Sequence, residues 1–309
     1  MASLQKYQNK KIAIYGMGIS GYSAAKKLQG AKAKLFCWDD NYKIRKKIKK
    51  LNLPISKFWK KNNTIDYIII SPGIDVNKCK IQFYLKNNYK KIITDLDIFF
   101  ELNKGEKIIS ITGTNGKSTT CKIIEKIFKV AGYNAKTGGN IGNSVLSLKK
   151  SKTKNIFILE VSSYQLQYSK LFRSKHSAIL NISPDHLDRH KNIKNYINTK
   201  SKIFLAQKKS DFSYINFKNK YSKSINKIFK NKKIKSKLIQ INRDQYNFLL
   251  NKVKNDYFSS IGNIENLLFA YEIAKKFKIS NTTIINALNK FKGLPHRQEV
   301  VPSNKKCLV

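Results

Sequence analysis

The sequence predicts an α/β protein in which an N-terminal Rossmann-like parallel sheet is followed by a P-loop-type α/β domain. Two observations lead to this prediction. Short apolar runs alternate with helical patterns along the chain, and Gly, Ser or Pro residues punctuate them. In addition, a loop at residues 113–119 contains glycine and lysine and lies between an apolar run and a helical stretch, as phosphate-binding loops do.

The first series of alternating elements covers residues 11–94. Strands are predicted at 11–15, 34–38, 66–70 and 91–94, and helices from the end of the glycine loop 16–21 to about Leu28 and near 78–87. Strands that alternate with helices are typical of parallel sheets. We therefore expect a first domain at residues 1–97.

The second series begins with an apolar strand at residues 107–112. It continues with strands at 157–161 and 178–182, and with helices at 117–131, 192–207, 263–277 and 281–291. Residues 208–256 are rich in lysine and asparagine, and their pattern favours neither helix nor strand. We expect a central ATP-binding domain at residues 98–297.

The composition is that of a globular protein. Apolar residues make up 41% of the 309 residues, which is enough for the cores of two domains. No apolar stretch of about 18 residues could span a membrane, and residues 1–16 lack the features of a signal peptide. We therefore expect a cytoplasmic protein without membrane association, whose four widely spaced cysteines are reduced.

The formal net charge of +44 raises the question of nucleic-acid binding. Only five of the 62 basic residues are arginine, although arginine is the side chain that best reads bases and phosphates. The lysines are spread along the chain together with many Asn, Ile, Tyr and Phe residues. This pattern indicates a bias in genome composition, and we expect no specific nucleic-acid partner.

The segment at residues 110–119, with the sequence SITGTNGKST, is the sharpest local signal. After a strand and before a helix, its backbone N–H groups can cradle phosphates. Lys117 is expected to neutralise the β- and γ-phosphates, and the Ser118 hydroxyl to bind Mg²⁺. The predicted ATP-binding residues of this loop are Gly113, Thr114, Asn115, Gly116, Lys117, Ser118 and Thr119.

Two further side chains follow buried strands. Glu160 ends one predicted strand, and His186 follows the next, so both are expected at the carboxyl edge of the sheet, where ligands bind in α/β proteins. A buried carboxylate next to a phosphate loop is stable when it meets a cation, which suggests a Mg²⁺ ligand. A structural ion pair for Glu160 and a packing role for His186 are the alternatives.

Five motifs in one order resemble those of the Mur ligase family. The loop TGTNGKS at 112–118 is similar to that of the Mur ligases and of folylpolyglutamate synthases. The other four are similar to motifs of the family branch that adds D-glutamate: GGNIG at 138–142, EVSSYQL at 160–166, DHLDR at 185–189 and LPHR at 294–297. The resemblance covers roughly residues 10–300.

The resemblance implies roles for individual residues. The implied catalytic residues are Lys117, Asn140, His186 and Lys200, with Ser118, Glu160, His186 and a carbamylated Lys200 as ligands of two Mg²⁺ ions. Asn263, Asn266, His296 and Arg297 are implied to complete the ATP site. The implied substrate-binding residues are Ile19, Ser20, Asp39, Ser71, Pro72, Gly73, Asn140 and Ser162. The chain departs from the family where it has Gly262-Asn263 in place of a His-Asn pair, and where Asn41 replaces a basic residue.

The resemblance also implies the reaction. An ATP-dependent ligase of this branch joins D-glutamate to UDP-N-acetylmuramoyl-L-alanine through an acyl phosphate, in peptidoglycan synthesis. Family members carry a third domain, so residues 298–309 are expected to be a linker or the start of that domain. We expect the 309 residues to be a monomer that binds the UDP-substrate and ATP without completing ligation alone.

Three alternatives stay open at this point. The chain could be another ligase of the family or a relative of the folylpolyglutamate synthases, although Lys117-Ser118-Thr119 favours the D-glutamate branch. It could instead be a truncated nucleotide-binding remnant without ligase activity. A basic P-loop protein associated with nucleic acid is the third alternative, and it predicts steep, sequence-independent, salt-sensitive binding.

Overall fold

The computed structural model describes residues 2–60, 64–152 and 154–294, and these residues contain two parallel sheets. The first sheet has the strand order β2-β1-β3-β4. Its strands are β1 (Lys11–Tyr15), β2 (Lys34–Trp38), β3 (Tyr67–Ile70) and β4 (Ile92–Ile93). The second sheet has the order β10-β9-β8-β5-β7-β6. Its strands are β5 (Lys107–Thr112), β6 (Asn134–Gly139), β7 (Asn155–Glu160), β8 (His176–Ile179), β9 (Phe212–Asn216) and β10 (Lys237–Ile241).

In the described part of the chain, helices connect most successive strands, and three follow the last strand. Those up to the second sheet are α1 (Ala2–Gln5), α2 (Ile19–Gln29), α3 (Tyr42–Lys50), α4 (Gln82–Asn87) and α5 (Asp95–Leu102). The remaining helices are α6 (Lys117–Val130), α7 (Ser163–Tyr168), α8 (Leu187–His190), α9 (Ile193–Ser201), α10 (Ser222–Asn231), α11 (Asn247–Leu250), α12 (Ile261–Lys276) and α13 (Asn281–Asn289). Among the described residues, every helix is too short or too polar to cross a lipid bilayer.

The hydrophobic core runs from one sheet to the other. The central strands are apolar on both faces, as expected of parallel strands covered by helices. One buried cluster contains Ile14 of β1, Phe99 of α5 and Phe157 of β7, and the rings of Phe99 and Phe157 meet edge to face at 5.1 Å. A second cluster packs α6, α12 and α13 against the other face of the second sheet. The first of these clusters therefore includes residues of both sheets.

Asp97 anchors α5, which leads from the first sheet to the second. The Thr94 backbone N–H donates to the Asp97 carboxylate, and the Asp97 N–H donates to the Thr94 hydroxyl, which together form a capping box. The other carboxylate oxygen accepts from the Ser169 hydroxyl and from the backbone N–H groups of residues 170–172. One buried carboxylate thus joins the helix that follows the first sheet to a loop of the second.

The predicted fold class is confirmed, and most predicted elements are present. The helix predicted at 78–87 begins only at Gln82, and the strand predicted at 178–182 lies at His176–Ile179. The undetermined residues 208–256 contain β9, α10 and β10. Strand β6 was not predicted, because its sequence NAKTGG has one β-branched residue, Thr137, no aromatic residue and two glycines.

Candidate functional site

The loop between β5 and α6 has the backbone that a phosphate cradle requires. Gly116 precedes the first residue of α6 and has a φ of 81°, which favours glycine. A Cβ atom at this position would lie 2.2 Å from the Asn266 Oδ1 atom. The loop therefore lies directly against α12, and the N-terminus of α6 opens toward the carboxyl edge of the sheet.

Two lysines converge on the Gly113 carbonyl oxygen. Lys117 Nζ donates to this oxygen at 3.0 Å and to the Thr114 carbonyl at 2.7 Å. Lys200 Nζ donates to the same Gly113 oxygen at 2.8 Å. The predicted phosphate-binding lysine and the predicted carbamylated lysine are therefore brought together, although they are far apart in sequence.

Glu160 lies at the end of β7 and is buried next to the loop. The Ser118 hydroxyl donates to Glu160 Oε2 at 2.6 Å, and the Asn140 side-chain amide donates to Glu160 Oε1 at 2.9 Å. The Asn140 backbone N–H also donates to the Glu160 carbonyl. Glu160 is 2% exposed, so these neutral donors hold a carboxylate in a desolvated position. Three of the predicted site residues thus form one connected group.

Lys200 is a buried side chain on α9. It is 2% exposed, and its ammonium lies 4.7 Å from the centre of the Tyr196 ring. Burial, reinforced by the positive charge of Lys117, lowers the pKa of Lys200 to about 7. A substantial fraction of this amine is therefore neutral near pH 7, unlike an ordinary surface lysine.

His186 lies at the edge of this group. It has a φ of 52° and immediately precedes α8. Its ring lies 5.0 Å from the Tyr164 ring and 6.4 Å from the Tyr196 ring, and its Nε2 atom is 3.4 Å from Asp185 Oδ2. The His186 side chain is 47% exposed, and the contacts above do not join it to Glu160. Its role as a metal ligand stays a prediction.

Asn181 fastens the phosphate loop to the strand-end loop that leads to His186, and sequence analysis did not identify it. Its side-chain oxygen accepts from the Asn115 N–H at 2.9 Å, and its amide donates to the Asn115 carbonyl at 3.2 Å. The Thr114 hydroxyl in turn contacts Ser183 and the Tyr196 hydroxyl. The only signal in the sequence was a polar residue within the apolar run at 178–182.

A cavity of about 260 Å³ lies between the loop and the start of α12. Its lining residues are Asn115, Gly116, Thr119, Asn181, Tyr257, Ser260, Gly262, Asn263 and Asn266. The Asn266 side-chain oxygen accepts from the Thr120 hydroxyl, and the Asn263 amide donates to the Tyr257 carbonyl. The two asparagines predicted near adenine therefore share one cavity with the phosphate loop, together with the unpredicted Tyr257 and Ser260.

The predicted substrate-side residues lie at the carboxyl edge of the first sheet. A Cβ atom on Gly16 would lie 2.6 Å from the Ser71 Cβ atom, so the glycine loop directly contacts the loop of Ser71, Pro72 and Gly73. Asp39 accepts from the backbone N–H groups of Met17 and Asn41 at 2.7 and 2.8 Å. Its carboxylate therefore braces the glycine loop, and a contact with uracil stays a prediction.

The remaining predicted site residues have different environments. Ile19 is 76% exposed next to the glycine loop, and Ser20 faces the buried Asp95 carboxyl group. The Ser162 hydroxyl accepts from the Gln165 N–H and caps α7, so it also has a structural role. His296 and Arg297 lie outside the described residues.

Within the described ranges, no group of three or more His, Cys, Asp or Glu side chains is placed to hold a metal ion.

Comparison with known proteins gives consistent results. A sequence profile described as the Mur ligase middle domain matches residues 111–290. A Rickettsia bellii protein named UDP-N-acetylmuramoylalanine–D-glutamate ligase is 36% identical over 319 aligned residues, which cover 96% of this chain and 69% of the relative. A Clostridioides difficile protein of the same name is 34% identical and covers 95% of this chain and 70% of its own length.

Solved structures support the fold at lower identity. A UDP-N-acetylmuramate:L-alanyl-γ-D-glutamyl-meso-diaminopimelate ligase from Neisseria meningitides superimposes with a TM-score of 0.60 at 14% identity, covering 92% of this chain and 99% of that structure. A murein peptide ligase from Psychrobacter arcticus gives a TM-score of 0.56 at 15% identity, covering 94% of this chain and 70% of that structure. At such identities the likeness concerns the fold alone.

Proposed function

The chain belongs to the Mur ligase family, and we propose that it is an ATP-dependent ligase that adds D-glutamate to UDP-N-acetylmuramoyl-L-alanine in peptidoglycan synthesis. One observation carries the proposal: the hydrogen-bonded group of Ser118, Glu160 and Asn140 lies directly beside the loop that holds Lys117. The names of the similar proteins support UDP-N-acetylmuramoyl-L-alanine as the substrate and D-glutamate as the amino acid that is added.

ATP is proposed to bind with its triphosphate at the loop 113–118 and its adenosine in the adjoining cavity. Backbone N–H groups at the N-terminus of α6 and the Lys117 ammonium supply the positive charge that phosphates require. Asn263 and Asn266 line this cavity together with Asn115, Gly116 and Thr119 of the loop, so a nucleoside attached to these phosphates would adjoin them.

The donor set at Glu160 fits a magnesium ion. A buried carboxylate next to the Ser118 hydroxyl offers two hard oxygen atoms, which is the ligand chemistry that Mg²⁺ prefers. Ser118 and Glu160 would hold one ion, and His186 and Lys200 are proposed ligands of a second. When bound, such ions neutralise the developing charge on the transferred phosphoryl group.

Lys200 is proposed to be carbamylated, because a protonated ammonium would repel a metal ion. The neutral amine attacks the carbon of CO₂, forms an N–C bond and releases one proton, which leaves an anionic carbamate. Burial lowers the pKa of Lys200 to about 7, so part of the amine is unprotonated near neutral pH. The unprotonated amine has the nitrogen lone pair that this step requires.

The proposed reaction has two steps, and the protein mainly positions the reactants. A carboxylate oxygen of the substrate attacks the γ-phosphorus of ATP, and ADP leaves. The amine of D-glutamate then attacks the acyl carbon, phosphate leaves, and the amine loses a proton. Lys117 stabilises the charge on the phosphates, and Asn140, held by Glu160, is proposed to orient the acyl group.

The proposed function divides the chain into two domains. Residues 1–97 are proposed as the UDP-substrate domain, with Ile19, Ser20, Asp39 and the 71–73 loop on its binding edge. Residues 98–297 are proposed as the ATP-binding domain. The protein is proposed to act as a cytoplasmic monomer on these small molecules.

Calorimetry followed by a single-turnover assay tests the proposal. The protein should bind UDP-N-acetylmuramoyl-L-alanine more tightly than UDP-N-acetylmuramate, which lacks the L-alanyl residue whose carboxylate is activated. With MgATP it should form an acyl phosphate that hydroxylamine traps as a hydroxamate, and Lys117→Ala should lose this product. Equal affinity for both ligands, or hydroxamate formed equally well by Lys117→Ala, would contradict the proposal.

A further inference from the structure

Arg189 lies where the loop after β3 meets helices α7 and α8. It belongs to the single-turn helix α8, three residues after His186. Its side chain is only 7% exposed. A buried guanidinium is costly unless each of its donors finds a partner, so its contacts show what it holds in place.

The contacts of Arg189 join the first sheet to the second. Its Nη2 atom donates to the Ile74 carbonyl at 2.5 Å, and its guanidinium lies 4.0 Å from the Asp75 carboxylate. Both partners belong to the loop that follows β3. Its Nε atom donates to Gln167 Oε1 at 2.8 Å, and Gln167 lies on α7, just after the strand that ends in Glu160.

The Tyr164 ring contacts both Arg189 and His186. It lies 5.1 Å from the Arg189 guanidinium carbon and 5.0 Å from the His186 ring. The same aromatic side chain therefore packs against both ends of the helical turn that His186 begins. A displacement of Arg189 would be transmitted to His186 through both the turn and this ring.

We propose that Arg189 is a positioning residue that holds the loop 71–76 of the first sheet in register with the His186 turn of the second. The inference rests on the proposed function, in which the first loop binds the UDP-substrate and the second carries His186, a proposed ligand of the second metal ion. Arg189 then sets how the acyl carboxylate meets the γ-phosphate, and it touches neither of them.

Arginine is suited to this role because its planar fork donates in several fixed directions at once. The observed partners lie on two different elements, the β3 loop and α7, and both are oxygen acceptors. Lysine carries the same charge, but its three donors radiate from one nitrogen and do not reproduce the spacing of Nε and Nη2. Arg189→Lys should therefore retain part of the function, and Arg189→Met should retain less.

The test compares binding with the rate of the first chemical step. For Arg189→Met we expect acyl-phosphate formation at saturating substrates to slow by about 10- to 100-fold, because displacement by about 1 Å has effects of this size. The dissociation constants of MgATP and of the UDP-substrate should change by less than about threefold. Arg189→Lys should recover part of the rate, and it serves as the informative variant if Arg189→Met does not fold.

Tyr168→Phe is the matched control. The Tyr168 hydroxyl accepts a 3.2 Å hydrogen bond from the Val76 N–H, so it bridges the same two sheets. The substitution removes this bond and keeps the Tyr168 ring, whose centre lies 5.9 Å from the Arg189 guanidinium carbon. If Arg189 only fastened the sheets together, both substitutions would slow the first step alike. A rate within threefold of wild type in Arg189→Met, or an equal loss in Tyr168→Phe, would overturn the inference.

Hydrogen exchange separates this inference from the proposed function. Arg189→Met should accelerate amide exchange in residues 71–76 and 183–190, and Tyr168→Phe should do so in the first segment only. If the wild-type protein forms no acyl phosphate, the proposed function fails, and exchange still decides whether Arg189 holds both loops. Unchanged exchange in residues 183–190 of Arg189→Met would overturn the positioning role.

Discussion

The Ser118 hydroxyl donates a 2.6 Å hydrogen bond to the buried Glu160 carboxylate, and this contact joins the phosphate loop to the neighbouring strand β7. It places one charged and one neutral oxygen side by side at the start of α6. A divalent cation next to bound phosphates would be ligated by such a pair.

Glu160→Gln should therefore uncouple nucleotide binding from magnesium. The variant keeps the shape of the side chain and an acceptor for either Ser118 or Asn140, and it removes the negative charge. We expect the increase in ATP affinity on adding Mg²⁺ to shrink by about 10-fold or more, since the anionic ligand provides most of the attraction to the ion. Affinity in EDTA should stay close to that of wild type. Calorimetry with and without Mg²⁺ measures both values, and an undiminished magnesium effect would contradict the assignment.

Gly116→Ala should weaken nucleotide binding through a steric clash, and Gly132→Ala offers a matched control. Both glycines have a φ of 81°, so alanine is strained equally at the two positions. A Cβ atom at Gly116 would lie 2.2 Å from Asn266 Oδ1. A Cβ atom at Gly132 would have no neighbouring atom within 4 Å. Each variant should lose about 1 kcal/mol of unfolding free energy from backbone strain. Only Gly116→Ala should lose ATP affinity, by about 10-fold or more. Equal ATP affinity in the two variants would show that the loop does not bind the nucleotide.

Lys200 should react with carbon dioxide, and Lys202 is its control. With ¹³C-labelled bicarbonate, the wild-type protein should show one protected carbamate carbon in its NMR spectrum. The signal should vanish in Lys200→Arg, because a guanidinium does not form the carbamate, and it should persist in Lys202→Arg. A spectrum without this signal, or one in which only Lys202→Arg loses it, would refute the proposed modification.

His176 should make the protein less stable as the pH falls below about 6.5. Burial lowers the pKa of His176 to about 3, so the unfolded chain binds a proton between pH 6.5 and 3 that the folded protein does not bind. Unfolding free energy therefore rises with pH across this window and is lost on acidification. Between pH 7 and pH 5 this histidine should cost the protein about 2 kcal/mol.

The measurement is urea unfolding of wild type and His176→Leu at the two pH values. The slope of stability against pH should be smaller in the variant, whatever its absolute stability. His190 has a pKa lowered to about 4 by burial and contributes a slope that both proteins share. Identical slopes in the two proteins would show that His176 is not held neutral in the folded state.

The sequence predicted those parts of the site that depend on local order. The loop at 113–119 was recognised because strand, glycine turn, lysine and helix follow one another directly. Strand β6 was missed because Gly138 and Gly139 give no strand signal, although they pair with Leu159 and Glu160 of β7. Its place at the edge of the sheet is set by tertiary contacts.

Side chains that act across long separations in sequence were harder to predict. Asn181 contacts Asn115 across 66 residues, and Arg189 contacts Ile74 across 115 residues. Lys200 could be identified only by family resemblance, because in a chain with 62 basic residues one lysine does not stand out from the others. Its burial distinguishes it in the structure, and burial is a property of the whole fold.

A crystal structure of the protein with MgATP tests the central proposal most directly. The β- and γ-phosphates should accept hydrogen bonds from the backbone N–H groups of residues 116–118 and from Lys117 Nζ, with a metal ion bound by Ser118 and Glu160. The adenosine should occupy the cavity that Asn263 and Asn266 line. A triphosphate bound elsewhere, with Glu160 still hydrogen-bonded only to Ser118 and Asn140, would contradict the account.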